Sequence, residues 1–291
     1  MKAAAFAYHR PNTVDEAVDL LAEYGEEAKI LAGGQSLVPM LAMRLTHFDN
    51  LIDISRIDGL VGIDLRDNEI RIGAATPHAL VGLDDEIAES VPLLTLATPY
   101  IGHFQIRTRG TLGGAIAHAD PAAEYAAVAL ALDAQMEALS PRGARDIPAT
   151  EFFTGLWETS MTADEILTAV RFPMWGPRSG FAVEEFARRH GDFAIAGAAV
   201  AVELDESARV SRCGIGLLGL GSTPLRGSPA EQAVVGRPVG DIAADEVGRL
   251  ALSALTEIPA DLQGSAAYRA KVGATMVARA WESATAEASN A

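Results

Sequence analysis

Two pairs of adjacent glycines constrain this chain more than any other feature. Gly33-Gly34 lies in "ILAGGQSLVPML" (30–41) and Gly113-Gly114 in "RTRGTLGGAIAHADP" (107–121). Paired glycines lose much backbone entropy on folding, so a fold keeps them where φ must be positive or where another group approaches the backbone closely. The apolar run before Gly33 predicts a strand and the one after it a helix. At such a junction the unpaired N–H groups of a helix start suit a phosphate, and Ser36 adds a hydroxyl. For one loop taken alone, a tight turn with no ligand is the favoured reading. Neither G-x-x-x-x-G-K-[ST] nor G-x-G-x-x-G fits, which leaves out the P-loop and the Rossmann fingerprint. The second loop repeats the chemistry, with Thr111 as hydroxyl and Gly113-Gly114 as the bare pair. Two such loops that meet in space would grip both halves of a pyrophosphate, and the ligand would be a dinucleotide.

The elements around the loops form a mixed α+β pattern. Thr13 and Glu16 predict a capping box, Val14, Ala17, Val18 and Leu21 an amphipathic helix, and Gly25 its end. Strands follow at 28–33 and 50–55, with a helix over 36–45 between them. Residues 61–76 predict two strands joined at Asp67-Asn68, 86–102 one helix, and 121–132 another with Pro121 in its first turn. "AQMEALS" and "EILTAVRFP" (165–173) predict strands. "PMWGPRSG" (173–180) is the linker candidate. Two long strands come next, and the chain is helical by composition from Ala243 onward. The expected units are 1–55, 56–175 and 178–291.

A chain of 291 residues, 49% hydrophobic and 21% charged, has enough apolar material for large cores. Its net charge of −16 argues against nucleic acid or an anionic membrane surface as a partner. No apolar run reaches the roughly 18–20 residues of a membrane span. The start lacks the pattern of a secretory signal, and a cytoplasmic protein is expected. Cys213 is the single cysteine, so an iron–sulfur cluster, which takes about four thiolates, is not expected on this chain. No metal site is expected, nor any side chain acting as catalytic acid or base. Redox chemistry would then use an organic cofactor.

Asp120 and Glu124 follow the second loop. Each is able to accept bonds from ribose or ribityl hydroxyls, and each also has a structural reading: Asp120 as the cap of a helix opening at Pro121, Glu124 as a first-turn carboxylate. His118 stands without a matching His or Cys cluster, which favours a structural role. "ARRHGDF" (187–193) reads as a charged strand end.

With both loops in view the chain resembles the FAD-binding medium subunit of the molybdenum hydroxylases, the carbon monoxide dehydrogenase and xanthine dehydrogenase family. The matching pieces run in family order: "AGGQSL" (32–37), "GHFQIRTRGTLGGAIAHADPAAE" (102–124), "EILTAVRFP" (165–173), "EEFARRHGDFAIAG" (184–197) and "GSAAYRAKV" (264–272). The resemblance implies a two-part FAD-binding fold of the PCMH, or vanillyl-alcohol-oxidase, type, followed by an α+β domain of the CO dehydrogenase flavoprotein C-terminal type. It implies FAD between the first two parts, with the pyrophosphate over Ala32, Gly33, Gly34, Gln35 and Ser36 and over Thr111, Gly113 and Gly114. Leu37, Ala117 and Asp120 complete the set, with Ile101, Glu124 and Leu167 toward the flavin. It further implies a large molybdopterin subunit, a small subunit with two [2Fe–2S] clusters, a dimer of heterotrimers, and electrons passing through FAD to an external acceptor. Three positions depart from the pattern: Gln35 where several relatives have His, Ala115 where many have Asn, and Glu184-Glu185 where Lys is common. The two carboxylates would lower the local potential, or they point to solvent, which is the expectation. The other readings of the same fold are a self-contained flavin oxidase and an assembly scaffold without FAD.

Overall fold

The computed structural model describes residues 2–291. Its first sheet is parallel, with β1 (Ala7–His9), β2 (Ala28–Leu31) and β3 (Asn50–Asp53) in the order β1-β3-β2. Parallel neighbours need crossovers, and α1 (Val14–Tyr24) and α2 (Leu37–Met43) supply them. Thr13 caps α1 by accepting the Glu16 N–H, and Ala17, Val18 and Leu21 are its buried stripe. Glu16 bonds the Asn12 N–H rather than that of Thr13, so the box closes one residue further out than expected.

The second sheet is antiparallel. It uses β4 (Ile63–Arg66), β5 (Glu69–Gly73), β6 (Gln135–Ser140), β7 (Gly143–Pro148) and, after a small hairpin of β8 (Phe153–Gly155) and β9 (Glu158–Thr159), β10 (Ile166–Pro173). The order is β4-β5-β10-β6-β7. Short helices α3 (His78–Val81), α4 (Asp85–Ser90), α5 (Pro92–Ala97), α6 (Phe104–Arg107), α7 (Leu112–His118), α8 (Glu124–Ala131) and α9 (Ala149–Phe152) fill the connections. The single helix expected over 86–102 is instead α4, α5 and a 3-10 turn at Thr98–Tyr100. Val91 breaks it at φ −139°, ψ +64°, since the ring of Pro92 pushes the preceding residue out of the helical region. The helix expected from Pro121 begins at Glu124. Asp120 and Pro121 belong to a turn in which Asp120 Oδ1 accepts the Ala122 N–H, and Ala123 takes the cap position.

The third sheet is β11 (Ser179–Phe186), β12 (Ala196–Leu204), β13 (Val210–Leu218) and β14 (Leu225–Arg226), antiparallel in that order. After α10 (Ser228–Val234) come α11 (Ala244–Ala251) and α12 (Ala266–Asn290), with an irregular stretch between the last two where helix was expected. α12 covers one face of this sheet, and α8 lies against the other. A Cβ at Gly214 or Gly216 would collide with the Ala131 or Ala127 carbonyl, so bare strand backbone lets α8 press flat on β13. α8 is buried from Tyr125 to Ala131, and its cluster joins Ile70 and Met136 of the second sheet to Ala199 and Leu218 of the third. One core therefore runs through both sheets. No helix among the described residues is long and apolar enough to cross a membrane.

Candidate functional site

The two glycine loops meet. A Cβ on Gly33 would run into the Arg109 carbonyl and stand 2.7 Å from Gly110 Cα. Ala32 Cβ lies 3.5 Å from the position a Cβ would take on Gly114. The bare backbone of the first loop is thus docked on the lead-in to the second. Gly34 is bare for a different reason, its φ of +71°.

In the first loop the N–H groups of Gly33, Gly34, Gln35 and Ser36 have no partner among the described residues. Ser36 occupies the cap position of α2 without a side-chain cap bond, and it is exposed. Gln35 folds back, with Nε2 donating to the Gly33 carbonyl at 3.2 Å. Leu37 opens α2 half-buried. The second loop uses its donors internally. Leu112 N–H donates to Thr76 O, Gly113 N–H to Ala74 O, Gly114 N–H to Thr111 Oγ1 and Ala115 N–H to Thr111 O. A Cβ on Gly113 would stand 2.6 Å from Ala74 Cα, so this glycine serves the contact of α7 with the second sheet.

Beneath the second loop lies His78, 4% exposed, with neither ring nitrogen hydrogen-bonded. Burial pushes its pKa down to about 4, so the ring is neutral at physiological pH. A Cβ on Gly110 would stand 3.0 Å from its Cε1. Its other side meets Tyr125 edge-on at 5.1 Å, and Tyr125 shares a 2.7 Å hydrogen bond with Thr98 Oγ1.

Of the remaining expected residues, Ile101, Ala117 and Leu167 pack with the core cluster that holds Leu112 and Ile116 of α7. Ile101 follows the Thr98–Tyr100 turn, and Arg107 donates 3.0 Å bonds to the Ile101 and Gly102 carbonyls. Ala117 is half-buried on α7. Leu167 is buried in β10 where the pairing with β6 slips by a residue, in the same core cluster as Ile116 of α7. Burial raises Glu124, the first residue of α8, to about 7. Asp120 Oδ2 accepts a 3.4 Å bond from Trp157 Nε1, and the His118 ring stacks on Trp157 at 6.2 Å. The composition of 153–159 did not announce Trp157, which takes φ +58° on the tip between β8 and β9.

Glu185 corrects an expectation. Its Oε2 is shut away from solvent with no hydrogen-bond partner, and burial followed by the charge of Glu124 raises the carboxyl to about 8. Strand alternation puts it on the face of β11 that carries Phe181 and Val183 into the core. Residues 187–193 form a loop rather than a strand end. With Gly102, His103, Phe104, Gln105 and Arg107, His190 lines an open depression of about 360 Å³.

The arrangement offers an anion four free backbone donors and a hydroxyl on one side and a bare, rigidly mounted glycine edge on the other. That donor set fits a pyrophosphate. Residues 4–175 match the family model of the FAD binding domain in molybdopterin dehydrogenase, and residues 181–284 match the CO dehydrogenase flavoprotein C-terminal domain. The chain is 44% identical to the 6-hydroxypseudooxynicotine dehydrogenase complex subunit alpha of Paenarthrobacter nicotinovorans, over 96% of this chain and 94% of that one. It is 38% identical to the carbon monoxide dehydrogenase medium chain of Afipia carboxidovorans, over 98% and 99%. Among solved structures, carbon monoxide dehydrogenase from Hydrogenophaga pseudoflava superposes with a TM-score of 0.95 at 36% identity, covering 99% of each chain. Quinoline 2-oxidoreductase from Pseudomonas putida 86 gives 0.92 at 32%, again over 99% of each.

Proposed function

The chain belongs to the family of FAD-binding flavoprotein subunits of molybdopterin dehydrogenases, and from that premise we propose that it is the electron-transfer subunit of a molybdenum hydroxylase complex. In this reading the FAD pyrophosphate lies over Ala32–Ser36 and against Thr111, Gly113 and Gly114, with Leu37 beside them. Ile101 and Leu167 border the flavin, and Ala117, Asp120 and Glu124 take the remaining polar and apolar contacts. The observation that carries the placement is the run of four unpaired N–H groups from Gly33 to Ser36, in a loop whose Gly33 packs on the Arg109-Gly110 lead-in to the second loop. Bound flavin supplies the capacity to accept electrons and pass them on. The protein holds it, sets its surroundings and keeps the pyrophosphate donors in register.

Electrons would arrive from [2Fe–2S] clusters of a small partner subunit, fed by a large molybdopterin subunit, and leave to an external acceptor. The assembly would be a dimer of heterotrimers in the cytoplasm. The lone Cys213, buried in β13, supports a division of labour in which other chains hold the clusters. We further propose the domains 1–55, 56–175 and 178–291, supported by one sheet of three or more strands falling in each.

The test is to express the chain alone and record its visible spectrum before and after adding FAD. A yellow protein, or a colourless one that takes up about one FAD per chain, supports the reading. A folded chain that takes up none sinks it. Turnover of a small organic substrate by the isolated chain would favour a self-contained oxidase instead.

A further inference from the structure

Arg269 is a buried charged side chain that the reading above leaves without a task. It stands in the first turns of α12 and is 4% exposed, inside the part of the chain built on the third sheet. Its Nη1 donates to the Ile195 carbonyl at 2.6 Å and to the Gly219 carbonyl at 3.1 Å. Its Nη2 donates to Asp261 Oδ2 at 2.7 Å, and Asp261 is itself set by accepting the Gln263 and Gly264 N–H groups. Burying a guanidinium is costly unless its donors are used. An arginine suits the place because its flat fork reaches several acceptors in fixed directions, which a lysine ammonium does not.

Both carbonyls are the roots of arms that reach toward the cofactor site. Ile195 closes the loop 187–194, its N–H donating to the Phe186 carbonyl at 2.8 Å. That loop rests on the residues just after Ile101. A Cβ on Gly191, which has φ +85°, would stand 2.8 Å from His103 Cε1 and 3.0 Å from the Gly102 carbonyl. Gly219 follows β13 directly, and its N–H donates to the Pro121 carbonyl at 2.9 Å. Pro121 sits in the turn where Asp120 accepts the Ala122 and Ala123 N–H groups, immediately before Glu124. The two roots also touch each other, since a Cβ on Gly219, φ +72°, would stand 2.8 Å from the Ile195 carbonyl. No other side chain among the described residues donates to either carbonyl.

We propose that Arg269 is a positioning residue of the cofactor site: from α12 it pins the roots of both arms, and so holds Gly102-His103 beside Ile101 and the 120–123 turn beside Glu124 where FAD needs them. This rests on the FAD reading above. Arg269 acts through Ile195 and Gly191 on one side and through Gly219 and Pro121 on the other. One guanidinium thereby joins three separate pieces of sequence, 102–124, 184–197 and 264–272. Residues 264–272 lie far along the chain from both glycine loops, yet they become part of what the cofactor requires. The gain is preorganisation: arms already fixed in the free protein lose less freedom when the ligand binds.

Three measurements on the full chain test it: FAD affinity by flavin fluorescence, visible circular dichroism of the bound flavin, and amide hydrogen exchange of the FAD-free chain. R269K keeps the charge and loses the fork. It should bind FAD about tenfold more weakly, alter the flavin dichroism, and speed exchange at 187–195 and at the Gly219 N–H. V277A is the control, because it trims a fully buried side chain of the same helix and leaves the two arms alone. It should lower stability in urea while FAD affinity and dichroism stay as in the parent. If V277A weakens FAD as much as R269K does, Arg269 is only structural and the proposal is overturned. An R269K chain that binds FAD and exchanges as the parent does overturns it too. Should R269K not fold, D261N decides, since it releases Nη2 at the exposed end of the contact. About threefold weaker FAD affinity then supports the proposal, and parent-like affinity and exchange overturn it. A folded parent chain that binds no FAD overturns the functional reading and the role toward FAD with it, and exchange in the variants then decides separately whether Arg269 holds the arms.

Discussion

Loop 33–36 leaves four successive N–H groups unpaired, whereas in loop 111–114 Leu112, Gly113 and Gly114 spend theirs on Thr76, Ala74 and Thr111. Both are a hydroxyl residue and two glycines between apolar runs, yet one is built to donate and the other to be a fixed surface. The difference lies in what stands behind each. The first loop has only its own short turn and the backbone of Arg109 and Gly110. The second rests on β5 through Ala74, and on His78 and Tyr125 below. The glycines divide the same way: Gly34 is needed for φ, Gly33 and Gly113 for close approach of another backbone. A bare pair in a sequence is therefore no measure of how many donors remain for a ligand.

The largest effect should come from breaking the contact between the loops. Gly33→Ala places a methyl into the Arg109 carbonyl and 2.7 Å from Gly110 Cα, where no flexible side chain is able to give way. We expect a loss of about 3 kcal/mol in urea unfolding, at the upper end of overpacking costs, together with loss of bound FAD. Gly113→Ala meets Ala74 instead and should cost a similar amount by loosening the second loop from its sheet. If Gly33→Ala leaves stability and FAD content unchanged, the docking of the loops is wrong.

The support under the second loop should show itself in acid. The folded pKa of His78, about 4, lies below its ordinary value of 6.5. Stability from its neutral form is present above pH 6.5 and is lost as pH falls through about 4. The shift corresponds to a loss on the order of 3 kcal/mol across that window. His78→Leu should flatten this part of the stability–pH curve, measured by urea unfolding at several pH values. The first loop has no titratable side chain among Ala32–Leu37, so an unchanged slope in the variant would place the acid-sensitive group elsewhere.

Much of this was legible in the residues. The strand–loop–helix course at Gly33 and the hydroxyl cap at Thr13 followed from apolar runs and local chemistry, because those interactions span only a few residues. The meeting of the loops was not legible from spacing, because the contact of Gly33 with Arg109 depends on how two sheets dock. The burial of α8 on both sides had a signal, since "EYAAVALA" has no polar face. Its partners, Gly214 and Gly216, read only as strand residues. Glu185 had a signal too, in its alternation with Phe181 and Val183, but adjacent carboxylates suggested solvent. Composition and alternation disagreed there, and the packing of β11 against α5 decided for alternation.

The smallest and most discriminating effects belong to the two hydroxyls. Thr111 is buried, and its Oγ1 accepts the Gly114 N–H at 3.1 Å, so Thr111→Ala removes a helix cap and should cost about 1 kcal/mol in thermal or urea unfolding. Ser36 is exposed and makes no cap bond, so Ser36→Ala should leave stability within about 0.5 kcal/mol of the parent. Its effect should appear only against ligand: a lost hydrogen bond to a charged phosphate is worth about 1.5 kcal/mol or more, roughly a tenfold weaker FAD affinity. FAD titration followed by flavin fluorescence, set beside unfolding of the same two variants, reads both quantities. If Ser36→Ala binds FAD as tightly as the parent, the first loop is no donor to the cofactor, and the contrast between the loops would reduce to one of packing.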